Sequence, residues 1–305
     1  MFDWNDTRYF LAVAREGSTL AAAKVLGVNQ STVHRHLAAL EKDLGCRLVE
    51  RRPTGYRVTE QGRQLHACAE RIEEGVAALQ RRVASFNKEL SGRIRTTCSA
   101  AVGHRLMKSG LLDTFHKRYP GLKVELVMTE RLLSLSNGEA DVAIRGGDPK
   151  DESLVGRKIA DVAWGIYATR PYVERHGRPA SAEDIDRHSI IKFVDGIADH
   201  RAARWLRSKA PRATVCGEGG NIPSVLLAVK SGAGLAPLPA PLADHDEELL
   251  RLLGPIPELA YPMHLLTHRD LRNVPRITAF FDFCVSELRP VLRGGAMRAY
   301  PSKSA

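Results

Sequence analysis

Apolar residues in the first ninety positions recur every three or four, the period of an amphipathic helix, and the spacing predicts four helices joined by tight turns. Phe10, Val13 and Ala14 share one face and place a first helix over residues 6–15, stopped by Gly17. Ser18 is a capping residue for a second helix over 19–26, whose inner side is almost all alanine (Ala21, Ala22, Ala23), so another helix can approach closely. Gly27-Val28-Asn29 makes a short turn, with Asn29 placed to cap a third helix over 30–44. In that helix Val33, Leu37, Leu40 and Leu44 share one face, and Gln30, Ser31, Thr32, His34 and Arg35 lie on the other. Two short β-type segments, 48–52 and 56–59, flank the hairpin signal Pro53-Thr54-Gly55. Thr59 then caps a long fourth helix running to about residue 90, where Ser91-Gly92 ends it. Along it Leu65, Ala69, Ile72, Val76, Leu79, Val83, Phe86 and Leu90 alternate in steps of four and three, a heptad seam that must be buried against a second copy or against the chain's own domains. Gly75 inside the seam weakens the helix slightly.

From Arg93 onward strands alternate with helices. Strands are expected over 94–99, 124–128, 142–145, 162–168, 190–194 and 214–216, with helices over 104–119, 132–136, 201–209, 222–230 and 275–288. Such alternation argues for α/β domains with largely parallel sheets.

Composition narrows the function classes. A chain of 305 residues with 44% hydrophobic and 26% charged residues is an ordinary globular protein of two domains, or three small ones. The net charge of +10 favours a polyanionic partner, nucleic acid or an anionic membrane surface, though an arginine-rich proteome alone would also make a chain basic. The most apolar stretch, 225–242, is broken by Lys230, two glycines and three prolines, so it cannot span a membrane. The start of the chain, Met1-Phe2-Asp3-Trp4-Asn5-Asp6, is acidic and has no apolar run of a secretory leader. Cys46, Cys68, Cys98, Cys216 and Cys284 are dispersed and odd in number, as reduced thiols of a cytoplasmic protein are. No GxSxG elbow, P-loop, HExxH or GxGxxG after a strand occurs. Gly217-Glu218-Gly219-Gly220 and Gly232-Ala233-Gly234 miss the phosphate-cradling spacing and read as turns. His34 and His36, two apart on a helix, point to different sides and are poor joint ligands. Neither catalysis nor a metal nor an organic cofactor is expected, and the tail over 291–305 is expected to be disordered.

A helix, a glycine turn and a second helix with a polar, basic face near its start is the arrangement that enters a major groove. Gln and Arg match adenine and guanine edges, and Ser and Thr bond bases or phosphates. An amphipathic helix with a merely solvated face has the same pattern. The hairpin behind it separates the two readings, because Arg51, Arg52 and Arg57 make a wing suited to phosphates or a minor groove. The candidate DNA contacts are therefore Ser18, Thr19, Asn29, Gln30, Ser31, Thr32, His34, Arg35, Arg51, Arg52 and Arg57.

Phe10-Leu11-Ala12-Val13-Ala14, Gly17-Ser18, Ala21-Ala22, Leu26-Gly27-Val28, Gln30-Ser31-Thr32-Val33, Leu40-Glu41, Leu44-Gly45, Leu48, Arg51 and Thr59-Glu60-Gln61-Gly62 run through some sixty positions without a gap. Together they resemble the signature of LysR-type transcriptional regulators. One departure is His34-Arg35, where the family commonly has a serine followed by glutamine or arginine; an altered operator preference would follow from His34. The resemblance implies a winged helix-turn-helix over 1–59, a linker and dimerisation helix over 60–91, and an α/β effector-binding domain over 92–290 like the periplasmic binding proteins. That last domain would have two subdomains, the chain crossing out near Ala160 and back near Thr267. It further implies a homodimer or homotetramer on double-stranded DNA, with a small-molecule effector in the C-terminal cleft and activation or repression both open. Matching positions place Ser99, Ala100, Thr129, Glu130, Arg145 and Gly146 on one side of that cleft, and Phe193, Asp195, Asn221, Ile222 and Ser224 on the other. Several alternatives stay open. Asn221 would be a plain helix cap, Asp195 a turn residue, and Arg145 a partner of Asp141 or Asp148 rather than of an effector carboxylate. Cys98 and Cys216 would be inert buried thiols or redox sensors, and the C-terminal region would serve oligomerisation alone or be an enzyme.

Overall fold

A computed structural model describes residues 1–53, 55–86, 89–149 and 151–292. Thr54 of the hairpin turn and the expected tail beyond Leu292 lie outside the described residues. The chain divides into two compact units, Met1–Val83 with Ser136–Gly138, and Ala84–Leu135 with the chain from Glu139 onward.

The first unit contains α1 (Asp6–Glu16), α2 (Thr19–Leu26), α3 (Gln30–Leu44), β1 (Val49–Arg52), β2 (Gly55–Val58) and α4 (Glu60–Phe86). Its core joins Phe10, Leu11 and Val13 of α1, the alanines Ala22 and Ala23 of α2, Val33, Leu37 and Leu40 of α3, and Leu48. Each aliphatic side chain of that size stabilises by about 1.5–3 kcal/mol when buried. Leu44 lies outside this core and is 36% exposed. The wing pairs Val49 with Val58 and Arg52 with Gly55 in an antiparallel hairpin. It is drawn onto the helices by the Tyr56 N–H, which donates to the Gly17 carbonyl at 2.7 Å. A Cβ on Gly55 would stand 2.5 Å from the same carbonyl oxygen, so only glycine permits this approach. Gly62 is equally constrained: a Cβ there would lie 2.1 Å from the Leu48 carbonyl oxygen.

Two expectations for this unit change. Asn29 sits at the start of α3 in extended conformation but makes no side-chain capping bond. The long helix ends at Phe86 among the described residues, so Leu90 is not on it. Leu65 and Ala69 pack into this unit's own core, which removes them from a seam available to a partner, while Ile72 and Val76 are half-buried. Leu79, Val83 and Phe86 stay 66%, 58% and 67% exposed.

The second unit contains β3 (Gly92–Cys98), α5 (Ala100–Lys108), α6 (Leu111–Arg118), β4 (Leu122–Met128), β5 (Val142–Gly146), β6 (Leu154–Val162), β7 (Trp164–Thr169), α7 (Arg170–His176), β8 (Ser189–Phe193), α8 (Arg201–Lys209), β9 (Thr214–Gly219), α9 (Ile222–Lys230), β10 (Ala236–Pro239), α10 (Ala240–Ala243), β11 (Leu249–Leu253), β12 (Tyr261–His268) and α11 (Pro275–Val291). One lobe is built on a five-stranded sheet in the order β4-β3-β5-β12-β6; the other holds β10-β7-β11 and the pair β8-β9. The sheets are mixed, not largely parallel. β3 runs parallel to β4 and β5, β12 is antiparallel to β5 and β6, and β7 is antiparallel to both neighbours.

The expected strand over 162–168 straddles a boundary, because the chain leaves the five-stranded sheet at Ala163 and enters the second lobe with Trp164. It returns at Tyr261 rather than near Thr267, since all of β12 lies in the first sheet. The expected helix over 104–119 is two helices. Ser109 donates its hydroxyl to the Leu106 carbonyl at 2.7 Å and Gly110 adopts φ +71°, which closes the first and starts the second. No helix forms over 132–136. There the Ser134 N–H donates to the Glu139 carboxylate at 2.6 Å and the Arg145 guanidinium takes the Leu133 carbonyl, so side chains satisfy the backbone that a helix would have paired.

Candidate nucleic-acid interface and ligand cavity

The first turns of α3 present Gln30, Ser31, His34 and Arg35 to solvent, with Thr32 half-buried. Ser18 caps α2 by accepting the Ala21 N–H at 3.4 Å. Thr19 departs from expectation. It is 2% exposed, and its hydroxyl lies inside the fold, accepting from Gln30 Nε2 at 2.9 Å with His34 Nε2 at 3.3 Å. Arg51, Arg52 and Arg57 are all exposed on the wing. Arg52 pairs with Glu50 at 2.6 Å, and that bond holds the Glu50 carboxyl below its ordinary pKa.

What fixes wing against helix was not read from the sequence as a role, although Glu41 belonged to the family-like pattern. Glu41 is 6% exposed, and one of its carboxylate oxygens accepts the Leu48 and Val49 N–H groups at 2.7 and 3.1 Å while the other takes Arg47 at 2.9 Å. His36, also on α3, faces inward, 2.7 Å from Asp6 and stacked on Tyr9 with ring centroids 4.1 Å apart. Arg15 of α1 grips Glu73 of α4 through two bonds of 3.0 and 2.6 Å.

The second unit holds a cavity of about 410 Å³. One wall comes from the ends of β3, β4 and β5: Thr97, Cys98, Ser99, Thr129, Glu130, Arg145 and Gly146. The other comes from Trp164, Ile222, Tyr261 and the start of α8, with His200, Arg201 and Arg204. Ser99, Thr129, Glu130, Arg145, Gly146 and Ile222 thus meet as the sequence suggested. Ala100, Asp195, Asn221 and Ser224 do not line it. Phe193 is 2% exposed and belongs to the core, the inward residue at the end of β8. Asn221 and Ser224 are engaged with each other in a capping box on α9, at 2.9 and 3.1 Å, and Asp195 occupies a turn at φ +49°.

Charge in the cavity is unevenly matched. The Glu130 carboxylate accepts the Ala100 N–H at 3.1 Å and so fills the N-terminus of α5 with the chain's own anion. Arg145 pairs with neither Asp141 nor Asp148; it donates to the Leu133 carbonyl, and burial lowers its pKa from the usual value. Among the described residues Arg145, Arg201 and Arg204 make no ion pair; Arg201 donates to the Ala260 carbonyl at 3.1 Å and lies over the Tyr261 ring, 4.8 Å from its centroid, and Arg204 donates to the Asp199 carbonyl at 2.6 Å. His200 accepts the Ala202 N–H on Nδ1 at 3.2 Å, and burial first, then Arg201 and Arg204, depress its pKa to about 4. Burial pushes the Tyr261 hydroxyl up to about 12.

The family models match in two blocks: "Bacterial regulatory helix-turn-helix protein, lysR family" over residues 4–63 and "LysR substrate binding domain" over residues 87–289. The chain belongs to the LysR family of transcriptional regulators. A relative described as an HTH-type transcriptional regulator, from Xanthomonas campestris pv. campestris, is 33% identical over 189 residues, 62% of this chain and 55% of that protein. The HTH-type transcriptional regulator CrgA of Neisseria meningitidis serogroup C is 28% identical over 290 residues, 92% of this chain and 95% of the relative. The full-length structure of AphB, the Vibrio cholerae virulence activator, shares the fold with a TM-score of 0.60 at 22% identity, over 93% of this chain and 99% of that one.

This LysR-type chain is accordingly a DNA-binding transcriptional regulator with an effector-binding domain, in a family of regulators rather than enzymes. Its cavity residues Trp164, His200, Arg201, Arg204 and Tyr261 were missed by sequence reasoning, since no local pattern marks residues that meet only when two lobes face each other. Of the two cysteines near the expected cleft, Cys98 lines the cavity with its thiol pushed by burial up to about 12, while Cys216 is exposed on β9. Among the described residues no cluster suited to a metal ion occurs, and no helix is long and apolar enough to cross a membrane.

Proposed function

We propose that this LysR-family regulator reads a specific operator with the outward face of α3, Gln30, Ser31, Thr32 and Arg35 entering the major groove and His34 turned back toward Thr19. Arg51, Arg52 and Arg57 hold phosphates or the minor groove beside it, and Ser18 and Asn29 border the same surface. The observation that carries this reading is the division of α3 itself: Val33, Leu37 and Leu40 are buried while Gln30, Ser31, His34 and Arg35 are exposed beside a tied, arginine-bearing wing. Residues 1–59 form the reading head, 60–91 the linker and 92–290 the effector domain. Two copies pair through the outer part of α4, where Leu79, Val83 and Phe86 are unburied. The protein acts in the cytoplasm by binding, without turnover. The cavity takes a small anionic effector, supported by Arg145, Arg201 and Arg204, three cations that have no carboxylate partner among the described residues. Footprinting on the DNA upstream of its own gene, followed by genome-wide site selection, tests the reading. A discrete protected site is expected, and its absence from both experiments contradicts it.

A further inference from the structure

His34 stands where the resemblance leads one to expect serine, and its ring is turned back toward the protein. Its Nε2 lies 3.3 Å from Thr19 Oγ1, the same hydroxyl oxygen that accepts from Gln30 Nε2 at 2.9 Å. Thr19 opens α2 and is 2% exposed, so this hydroxyl is a fixed internal point and out of reach of DNA. His34 also packs edge-on against Tyr56 of the wing, with ring centroids 6.1 Å apart. Tyr56 is in turn held by its N–H to Gly17. Gln30, at the first position of α3, is therefore held by the Thr19 hydroxyl of α2, which His34 meets from the next turn of α3 while packing on Tyr56 of β2.

A glutamine amide carries two N–H donors and one acceptor oxygen. With one N–H committed to Thr19, the other N–H and Oε1 remain side by side, the pair that matches N7 and N6 of adenine. Turned over, with one lone pair of Oε1 accepting from the Thr19 hydroxyl, the amide would turn both N–H groups outward, and two donors match N7 and O6 of guanine. A long side chain held before binding also loses less rotamer freedom when it docks. We infer that Gln30 is a pre-set adenine reader, and that Thr19 and His34 are positioning residues that lock its amide and so set the base preference at one operator position. The inference rests on the reading that α3 lies in the major groove.

The test is selection of full-length protein on a randomised duplex library, comparing wild type with Gln30→Ala, Thr19→Val, His34→Ala and Gln30→Ala/Thr19→Val. Wild type should prefer adenine at one position per half-site, by about 5-fold or more over the next base, and Gln30→Ala should lose that preference. Thr19→Val and His34→Ala should each relax the same position and leave the rest of the site unchanged, with melting temperatures near wild type. Adding Thr19→Val to Gln30→Ala should change nothing further. A guanine at that position overturns the amide assignment. If Thr19→Val and His34→Ala are silent, relax a different base pair, or weaken all sequences alike, the lock is overturned while the groove reading stands. Exposed His34 supplies a second arm should Thr19→Val fail to fold. If Gln30→Ala leaves every preference intact, the groove reading itself fails.

Discussion

Glu41 ties the start of the wing to α3. Its buried carboxylate takes two backbone N–H groups at the start of the wing, and Glu41→Ala leaves both without a partner. A loss of about 1–3 kcal/mol is expected in chemical denaturation of the first unit, with the far-UV spectrum of the native state retained. In the cavity, Arg145→Gln removes a cation together with its bond to the Leu133 carbonyl. Affinity for a small carboxylate identified by calorimetric screening should fall by about 10-fold or more, consistent with a charge-assisted bond. His200 sets a pH dependence. The folded protein keeps its ring neutral down to about pH 4, whereas the unfolded chain takes up the proton near pH 6.5. The stability it contributes is complete above pH 6.5 and is lost as pH falls toward 4. The melting temperature should therefore drop less steeply across that range in His200→Asn than in wild type. Sequence reasoning found Gln30 and Arg35 because helical spacing alone sets them outward. It could not assign Glu41 its carboxylate bonds or find His200, whose roles come from groups brought near only by folding.

At the scale of elements, α4 does two jobs that one heptad pattern does not separate. Its first turns complete the helical core through Leu65 and Ala69, and on its outer turns Leu79, Val83 and Phe86 are exposed. Replacing Leu79 and Val83 together by Asp should shift the protein toward monomer in analytical ultracentrifugation while unfolding of the helix-turn-helix stays where it was. Unchanged association would move the pairing surface elsewhere. The first three helices of the first unit were legible because each carries an apolar face and ends at a glycine. The second unit was harder. Fully buried strands such as β7 and β10 have no alternation to read, and β6, β11 and β12 do not alternate regularly between buried and exposed positions either; β6, β10, β11 and β12 went unseen and a single strand was drawn across the passage from one lobe to the other. The break at Ser109-Gly110 was hidden in the same way, since apolar spacing continues through it.

For the whole molecule, the net charge of +10 became informative only once its location was known. Exposed arginines on the wing and at the head of α3 put part of that charge where a duplex would lie, while the cavity arginines concern a different and much smaller anion. In the proposed reading α3 and the wing act differently, α3 by reading bases and the wing by holding phosphates. A salt titration of operator and non-operator binding by wild type, Arg35→Ala and Arg51→Ala tests it most directly. Arg51→Ala should weaken both DNAs alike and flatten the slope of log K against log salt by about 0.9, as expected for one phosphate contact. Arg35→Ala should instead bring operator affinity toward non-operator affinity, by about 1–3 kcal/mol. If both variants bind both DNAs with wild-type affinity and slope, the account is contradicted.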